Sequence, residues 1–258
     1  MITSVSNVKV KNIIQLRNKS KSRRDADAFV IEGVRMFSEL PSEAIIEAYM
    51  TQGFYEKYRG AAFLSGIKYE LVSEQVFAKM SDTVTPQGII AIVKMKHYDL
   101  SDVLSRGDGL YLMLEDIQDP GNLGTLIRTA EAAGVSGVIM SKGTVDIYNP
   151  KVTRSTMGAI MRVPFVYVPD ITQTIRDMKK SGIKVYAAAL GDDTEYTDVN
   201  YTGSVAVVIG NEGNGLSGLA ISSSTGTVKI PMSGQIESLN AAVSAAVILY
   251  EARRQRNL

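Results

Sequence analysis

The sequence contains no cysteine and a single histidine, His97. Disulfides, thiolate nucleophiles and cysteine-bound metals are therefore excluded, and no pair of histidines exists to hold a metal or relay a proton. No metal is expected, and His97 is expected to carry no chemistry. No apolar run approaches the roughly 18 residues of a membrane-spanning helix, and the opening MITSVSNVKVKN has no apolar leader core. A soluble, cytoplasmic protein with no membrane partner is the expectation. Several nucleotide and acyl-transfer signatures are missing as well. There is no G-x-x-x-x-G-K-[ST] loop for nucleoside triphosphates and no G-x-S-x-G elbow for a serine nucleophile. The G-x-G-x-x-G order of a dinucleotide fold does not follow the first strand. Late in the chain stand Gly210, Gly213 and Gly215, in the order G-x-x-G-x-G. That order disfavours a nucleotide-dependent oxidoreductase.

Neither sign of charge dominates, since 28 Lys and Arg face 27 Asp and Glu. The distribution is uneven. Residues 1–35 hold eight cations (Lys9, Lys11, Arg17, Lys19, Lys21, Arg23, Arg24, Arg35) against three acids (Asp25, Asp27, Glu32), a local balance of 8 − 3 = +5. Such a cluster suits a phosphate backbone and equally suits the solvated face of a helix. The 258 residues are enough for two modest domains or one large one.

Residues 5–22 place Val10, Ile13, Ile14 and Leu16 on one side and predict a basic amphipathic helix, followed by a polar loop, SKSRRDADA, that presents Arg23 and Arg24. Apolar runs at 28–33, 44–50, 69–73 and 88–94 alternate with helical stretches. They predict a small α/β domain over residues 1–96. Residues 97–108 are polar, as expected of a linker. From 109 to 258 the alternation resumes, with strands expected at 110–115, 137–141, 164–168, 183–190, 205–210 and 227–231. KVYAAAL and VAVVI are continuous rather than alternating, as in parallel strands covered on both faces. The fold class is α/β, an open and mostly parallel sheet flanked by helices. The helix after LYLMLEDIQDPG is expected to be capped by Asn122 and stopped by Gly134, and the last helix to run over 238–254 with Ser238 at its cap.

Three loops at expected strand ends are unusual in composition: DPGNLG (119–124), GNEGNG (210–215) and PMSGQIESLN (231–240). Ligands in open α/β sheets bind beyond the carboxyl ends of the strands, so three such loops in one domain point to one shared site. In the helix after the first loop, Arg128 is a fixed cation beside an apolar stripe of Leu123, Leu126, Ile127 and Ala130.

These loops and their flanks resemble the three motifs of the SpoU (TrmH-like) RNA ribose 2′-O-methyltransferases of the SPOUT class. NLGTLIRTAEAAGV is similar to the first motif, with Asn122 and Arg128 in register. VVIGNEGNGLS is similar to the second, with Gly210, Asn211, Glu212 and Gly213. IPMSGQIESLNAAVSAAVILYEARRQ is similar to the third, with Ile230, Pro231, Met232, Ser238, Leu239 and Asn240. The likeness spans about residues 110–254. Ala241 and Ala242 stand where many members have Val-Ser, a replacement of small residues by small residues. FVIEGVRMF and TPQGIIAIV give a weaker similarity to the L30e-like substrate-binding domain that many members carry.

The resemblance implies an α/β-knot in 109–258, a deep trefoil knot through which about residues 210–254 thread, behind an L30e-like domain. It implies a homodimer whose knots pack together, with residues of both subunits in each active site. S-adenosylmethionine is the implied cofactor, held by Leu190, Gly210, Ile230, Met232, Ser238 and Leu239, with Gly210 and Gly213 letting the backbone approach the adenine. Arg128 is implied to activate the ribose hydroxyl, either by taking its proton or only by easing its departure. Asn122, Glu212, Ser238 and Asn240 complete the implied catalytic set. The implied partner is structured RNA, ribosomal (23S-type) more than transfer RNA, gripped by Arg23, Arg24 and Arg128. The alternatives are a transfer-RNA 2′-O-methyltransferase and a non-catalytic RNA-binding or ribosome-assembly factor. The latter is expected to have lost motif residues, and none of Asn122, Arg128, Glu212, Ser238 and Asn240 is missing.

Overall fold

The computed structural model describes residues 1–105, 107–189 and 194–256. The chain divides into two compact units, one made of Met1–Lys96 with Asp146–Gly158, the other of His97–Val145 with Ala159–Leu258. Among the described residues no helix is long and apolar enough to cross a membrane.

The first unit contains α1 (Val8–Asn18), α2 (Ser20–Ala26), β1 (Ala28–Glu32), α3 (Val34–Ser38), β2 (Ile45–Thr51), α4 (Gln52–Tyr58), β3 (Tyr69–Val72), α5 (Glu74–Met80) and β4 (Ile89–Lys94). Its strands lie in the order β1-β4-β2-β3, antiparallel except for β2 with β3. Val10, Ile13 and Leu16 of α1 pack with Val30, Tyr49, Ile90 and Phe77 in the core. The single helix expected over 5–22 is instead two. Lys19 is extended (φ −124°, ψ 115°) and separates α1 from α2, which occupies the stretch expected as a loop. Arg23 explains the arrangement. It is buried, and its Nη1 donates to the carbonyls of Leu16 and Arg17 (2.8 and 3.1 Å), closing the end of α1. Its Nη2 pairs with Asp146 at 2.5 Å.

The second unit contains α6 (Leu100–Leu104), β5 (Leu110–Leu114), α7 (Pro120–Ala133) and β6 (Gly137–Ser141). The chain then contributes α8 (Pro150–Ser155) to the first unit. It returns with β7 (Phe165–Val168), α9 (Ile171–Lys180), β8 (Lys184–Ala188), β9 (Val205–Ile209), α10 (Gly218–Ser223), β10 (Gly226–Val228) and α11 (Ala241–Gln255). All six strands are parallel, in the order β10-β8-β9-β5-β6-β7. Every residue of β5, β6 and β9 is buried, which is why their sequences run apolar without alternation. Helix α11 packs on α7 and β9. Within the stretch expected as a linker, α6 is closed by a reciprocal Asp99–Asp102 capping box and packs on β6 and β7.

Two expected caps are corrected. Asp119, not Asn122, caps α7: its Oδ1 accepts from the Asn122 amide (2.8 Å), and Pro120 takes the first helical position, where a missing N–H costs nothing. Asn240, not Ser238, caps α11, its Oδ1 accepting from the Ala242 and Val243 amides (2.9 and 3.4 Å). Both shifts release a side chain for other work.

Candidate active site

The carboxyl ends of β5 and β9, the two central strands, are bound to each other by side chains. Glu115, at the end of β5, accepts from the amide and hydroxyl of Ser217 (2.8 and 2.7 Å), the residue that caps α10. Asn211, just after β9, donates from Nδ2 to the Asp116 carbonyl (2.7 Å) and accepts from the amides of Gly213 and Asn214. Glu212 then reaches the amino end of α7. Its carboxylate accepts from the amides of Gln118 and Asp119 (3.1 Å each) and from Nδ2 of Asn122 (3.0 Å). The Oδ1 of Asn122 accepts in turn from Nδ2 of Asn240 (3.0 Å). One chain of hydrogen bonds, Asn240 to Asn122 to Glu212, therefore joins the three loops. Partial burial raises the affinity of the Glu212 carboxyl for a proton, but the donors on Asn122, Gln118 and Asp119 outweigh it and hold the group below the usual glutamate range. The anion also lies at the positive end of a helix dipole.

Beside this junction lies a cleft of about 390 Å³, within the size range of small-molecule sites. Its described lining includes Gly210, Ile230, Met232, Ser238 and Leu239, so the five described residues expected at the cofactor do line one cleft. Leu190 lies outside the described residues. The lining is mixed: Ile209, Leu216, Ile230, Leu239 and Ile248 are apolar, and Glu212 and Glu237 are acidic. An apolar wall for a purine ring and carboxylates near a positive sulfonium fit the chemistry of S-adenosylmethionine. Gly210 has a further reason for being glycine. A Cβ there would stand 2.3 Å from the Gly215 carbonyl carbon, because Asn211 and Gly215 exchange two backbone hydrogen bonds (3.0 Å each) that fold the loop back on itself. Gly213 has no such crowding from the protein.

Arg128 is exposed on α7, makes no hydrogen bond or ion pair among the described residues, and is not among the described residues lining the cleft. Ser238 is exposed at the cleft rim. Arg24 is exposed in the first unit. Arg23 is removed from the RNA-contacting set, because its side chain is 4% exposed and its donors are occupied within its own unit. Among the described residues no group of three or more metal-ligating side chains is assembled. Sequence reasoning missed Glu115 and Glu237, and it placed Asn211 in the second motif without giving it a role. The signal for Asn211 was its place between a buried strand and a glycine turn; Glu115 stands out only as an acid ending an apolar run.

A family model, the SpoU rRNA Methylase family, matches residues 109–250, more than half of the chain. The chain belongs to this family. Ahead of the SpoU region, residues 7–91 match an MRM3-like substrate binding domain. Among curated relatives, the chain is 34% identical to the 23S rRNA (guanosine(2553)-2′-O)-methyltransferase RlmP of Bacillus subtilis, over 98% of both chains. Among solved structures it is similar to the AdoMet-bound rRNA methyltransferase of Sinorhizobium meliloti, with a TM-score of 0.86 and 30% identity over 98% of this chain and 97% of that one. It is also similar to the SpoU methyltransferase AviRb of Streptomyces viridochromogenes in complex with AdoMet, with a TM-score of 0.84 and 28% identity over 96% and 98% of the two chains.

Proposed function

We propose that this SpoU chain transfers a methyl group from S-adenosylmethionine to a ribose 2′-hydroxyl of ribosomal RNA, with residues 1–96 binding the RNA and residues 109–258 carrying the chemistry. The observation that carries the reading is the Asn240–Asn122–Glu212 chain of hydrogen bonds beside the Gly210 cleft, because it ties the loops expected to hold cofactor to the helix that bears Arg128. Relatives named for 23S rRNA match 98% and 83% of this chain and favour ribosomal over transfer RNA. That substrate accords with the cytoplasm.

When bound, S-adenosylmethionine supplies a methyl group already activated on a sulfonium. The protein's tasks are therefore alignment and the management of one proton. A guanidinium stays protonated in proteins, so Arg128 is not the base. It holds a phosphate next to the acceptor ribose and lowers the pKa of the 2′-hydroxyl, whose proton passes from the 2′-oxygen to a phosphate oxygen or to water. Asn122, itself held by Glu212 and Asn240, keeps the amino end of α7 in place. Ser238, on the rim, is positioned to meet the acceptor nucleotide. Gly210, Ile230, Met232 and Leu239 hold the cofactor through backbone groups and apolar contact.

A homodimer belongs to the same proposal. Arg128 stands outside the described lining of its own cleft, and α11 exposes Val243 (48%) and Tyr250 (50%). A second copy packed on α7 and α11 accounts for both, bringing Arg128 of one subunit to the cleft of the other. The trefoil knot is proposed as well, supported by β9 lying between β5 and β8 and by α11 returning to pack on α7. The deciding experiment maps 2′-O-methyl sites in ribosomal RNA from cells with and without the gene. Loss of one site, restored by the wild-type gene, is the expected result. Identical maps would remove the reading.

A further inference from the structure

Residues 1–24 contain seven Lys and Arg and no Asp or Glu. The first unit separates these seven into two groups. Three have internal duties. Lys9 bridges Glu47 (2.6 Å) and Glu70. Arg17 donates to the carbonyls of Lys79, Met80 and Ser81, the orphan acceptors at the end of α5. Arg23 is buried on Leu16, Arg17 and Asp146. The other four, Lys11, Lys19, Lys21 and Arg24, are exposed. Among the described residues none of the four has an acidic partner. Arg24 donates to Oγ of Ser20 (2.6 Å), which orients its guanidinium without neutralising it.

The helices decide where these four stand. Since α1 buries Val10, Ile13 and Leu16, its exposed positions are Val8, Lys11, Asn12, Gln15 and Asn18. Lys11 lies on α1, and Lys19 is the extended residue that follows its last turn. Lys21 and Arg24, three apart on α2, share one face. The exposed residues between Lys11 and Lys19 are the neutral amides Asn12, Gln15 and Asn18, and the nearest acid in sequence is Asp25. Cations gathered without counter-charges repel one another, and a polyanion relieves that repulsion. A membrane surface is the poorer occupant. An interfacial helix needs a broad free apolar face, and α1 exposes Val8 alone while Val10, Ile13 and Leu16 are in the core.

We propose that Lys11, Lys19, Lys21 and Arg24 form the phosphate-contacting face of the first unit, with Asn12, Gln15 and Asn18 as uncharged hydrogen-bonding groups between them. The assignment rests on the ribosomal RNA reading above and gives it a surface. Deleting one phosphate-neutralising cation lowers the salt dependence of binding by a known increment, about 0.7 to 0.9 in the slope of log K against log salt.

The test uses the full chain and an unmodified 23S rRNA transcript. Replacing all four residues by Ala is expected to reduce that slope by about three, and to weaken binding at least tenfold at low salt. S-adenosylmethionine affinity is expected to stay within twofold, since none of the four is among the described residues lining the cleft. Arginine at positions 11, 19 and 21 is expected to keep the wild-type slope. An unchanged slope in the alanine variant, with wild-type methyl transfer intact, overturns this face alone. Absence of methyl transfer by the wild type overturns the functional reading and the face with it. Wild-type binding to phosphatidylglycerol vesicles in place of the transcript overturns the choice of RNA.

Discussion

Arg128 and Arg23 are the same residue type with opposite fates, and burial separates them. Arg128 is exposed and, among the described residues, unpartnered, so its removal leaves no internal group unsatisfied. Arg128→Ala is therefore expected to lose methyl transfer to rRNA by at least a hundredfold while S-adenosylmethionine affinity stays within about twofold, the size of loss seen when one preorganised donor is removed from a transition state. Radioactive methyl incorporation set against calorimetry reads both, and unchanged turnover sinks the assignment. Glu212 calls for a pH experiment. Its folded pKa lies below the unfolded value of about 4.3, so its stabilising effect is fully present above that value and is lost as pH falls through the folded one. Cofactor affinity is expected to be flat from neutral pH down to that unfolded value and to fall only below it. In Glu212→Gln that acid limb should be weaker, with reduced affinity already at pH 7. At this scale the motif residues were legible because three loops, each at an expected strand end, resemble the three family motifs in order. Their partners were not: Asn122 meets Glu212 across 90 residues and Asn240 across 118, and no local spacing encodes that.

Strands and helices were more legible than their ends. The buried runs of β5, β6 and β9 leave only a covered strand as an interpretation, and α9 repeats its buried residues Ile171, Thr174, Ile175 and Met178 at helical spacing. Caps failed where two capping residues lay within three positions of each other, Asp119 with Asn122 and Ser238 with Asn240, since propensity ranks them alike. The pairing of α7 with α11 was not legible at all. Their amino ends are joined by Asn122 and Asn240, and at the other end Arg253 donates to the Ala132 carbonyl at 2.6 Å, so the two helices run in the same direction. Parallel neighbours bring like dipole ends together. Arg253 places a cation where two negative ends meet and fills an acceptor that the helix itself leaves open. Arg253→Ala is expected to cost about 1 kcal/mol, roughly 2–4 °C in Tm for a chain of this size. It should also reduce turnover more than it reduces cofactor affinity, because α7 carries Arg128. A melting curve and a KM-against-kcat comparison measure the two effects, and a Tm equal to wild type would remove the role.

The division of the molecule differs from its division in sequence, and the difference has a consequence for dissection. Residues Asp146–Gly158 leave the catalytic sheet between β6 and β7 and fold with the first unit. There Phe29 and Tyr148 have ring centroids 4.6 Å apart, the Tyr148 hydroxyl bonds the Lys96 backbone, and Arg23 pairs with Asp146. Ile147, Tyr148 and Val152 are buried there. Nothing in the composition of DIYNPKVTRSTMG distinguishes a segment that packs at home from one that packs elsewhere, so a linear reading assigns it to the catalytic domain. A chain beginning at His97 removes the surfaces these residues are buried against and leaves three large side chains exposed, which favours association. Such a chain is expected to aggregate or to run as oligomers on gel filtration. If Asp146–Gly158 is also replaced by a short Gly-Ser connection, the remaining parallel sheet keeps its own core, and the shortened chain is expected to run as a defined species that binds S-adenosylmethionine. The two truncations differ only in that stretch. Equal behaviour of both on the column would mean that the stretch is indifferent to its surroundings, and the two-unit division would fail.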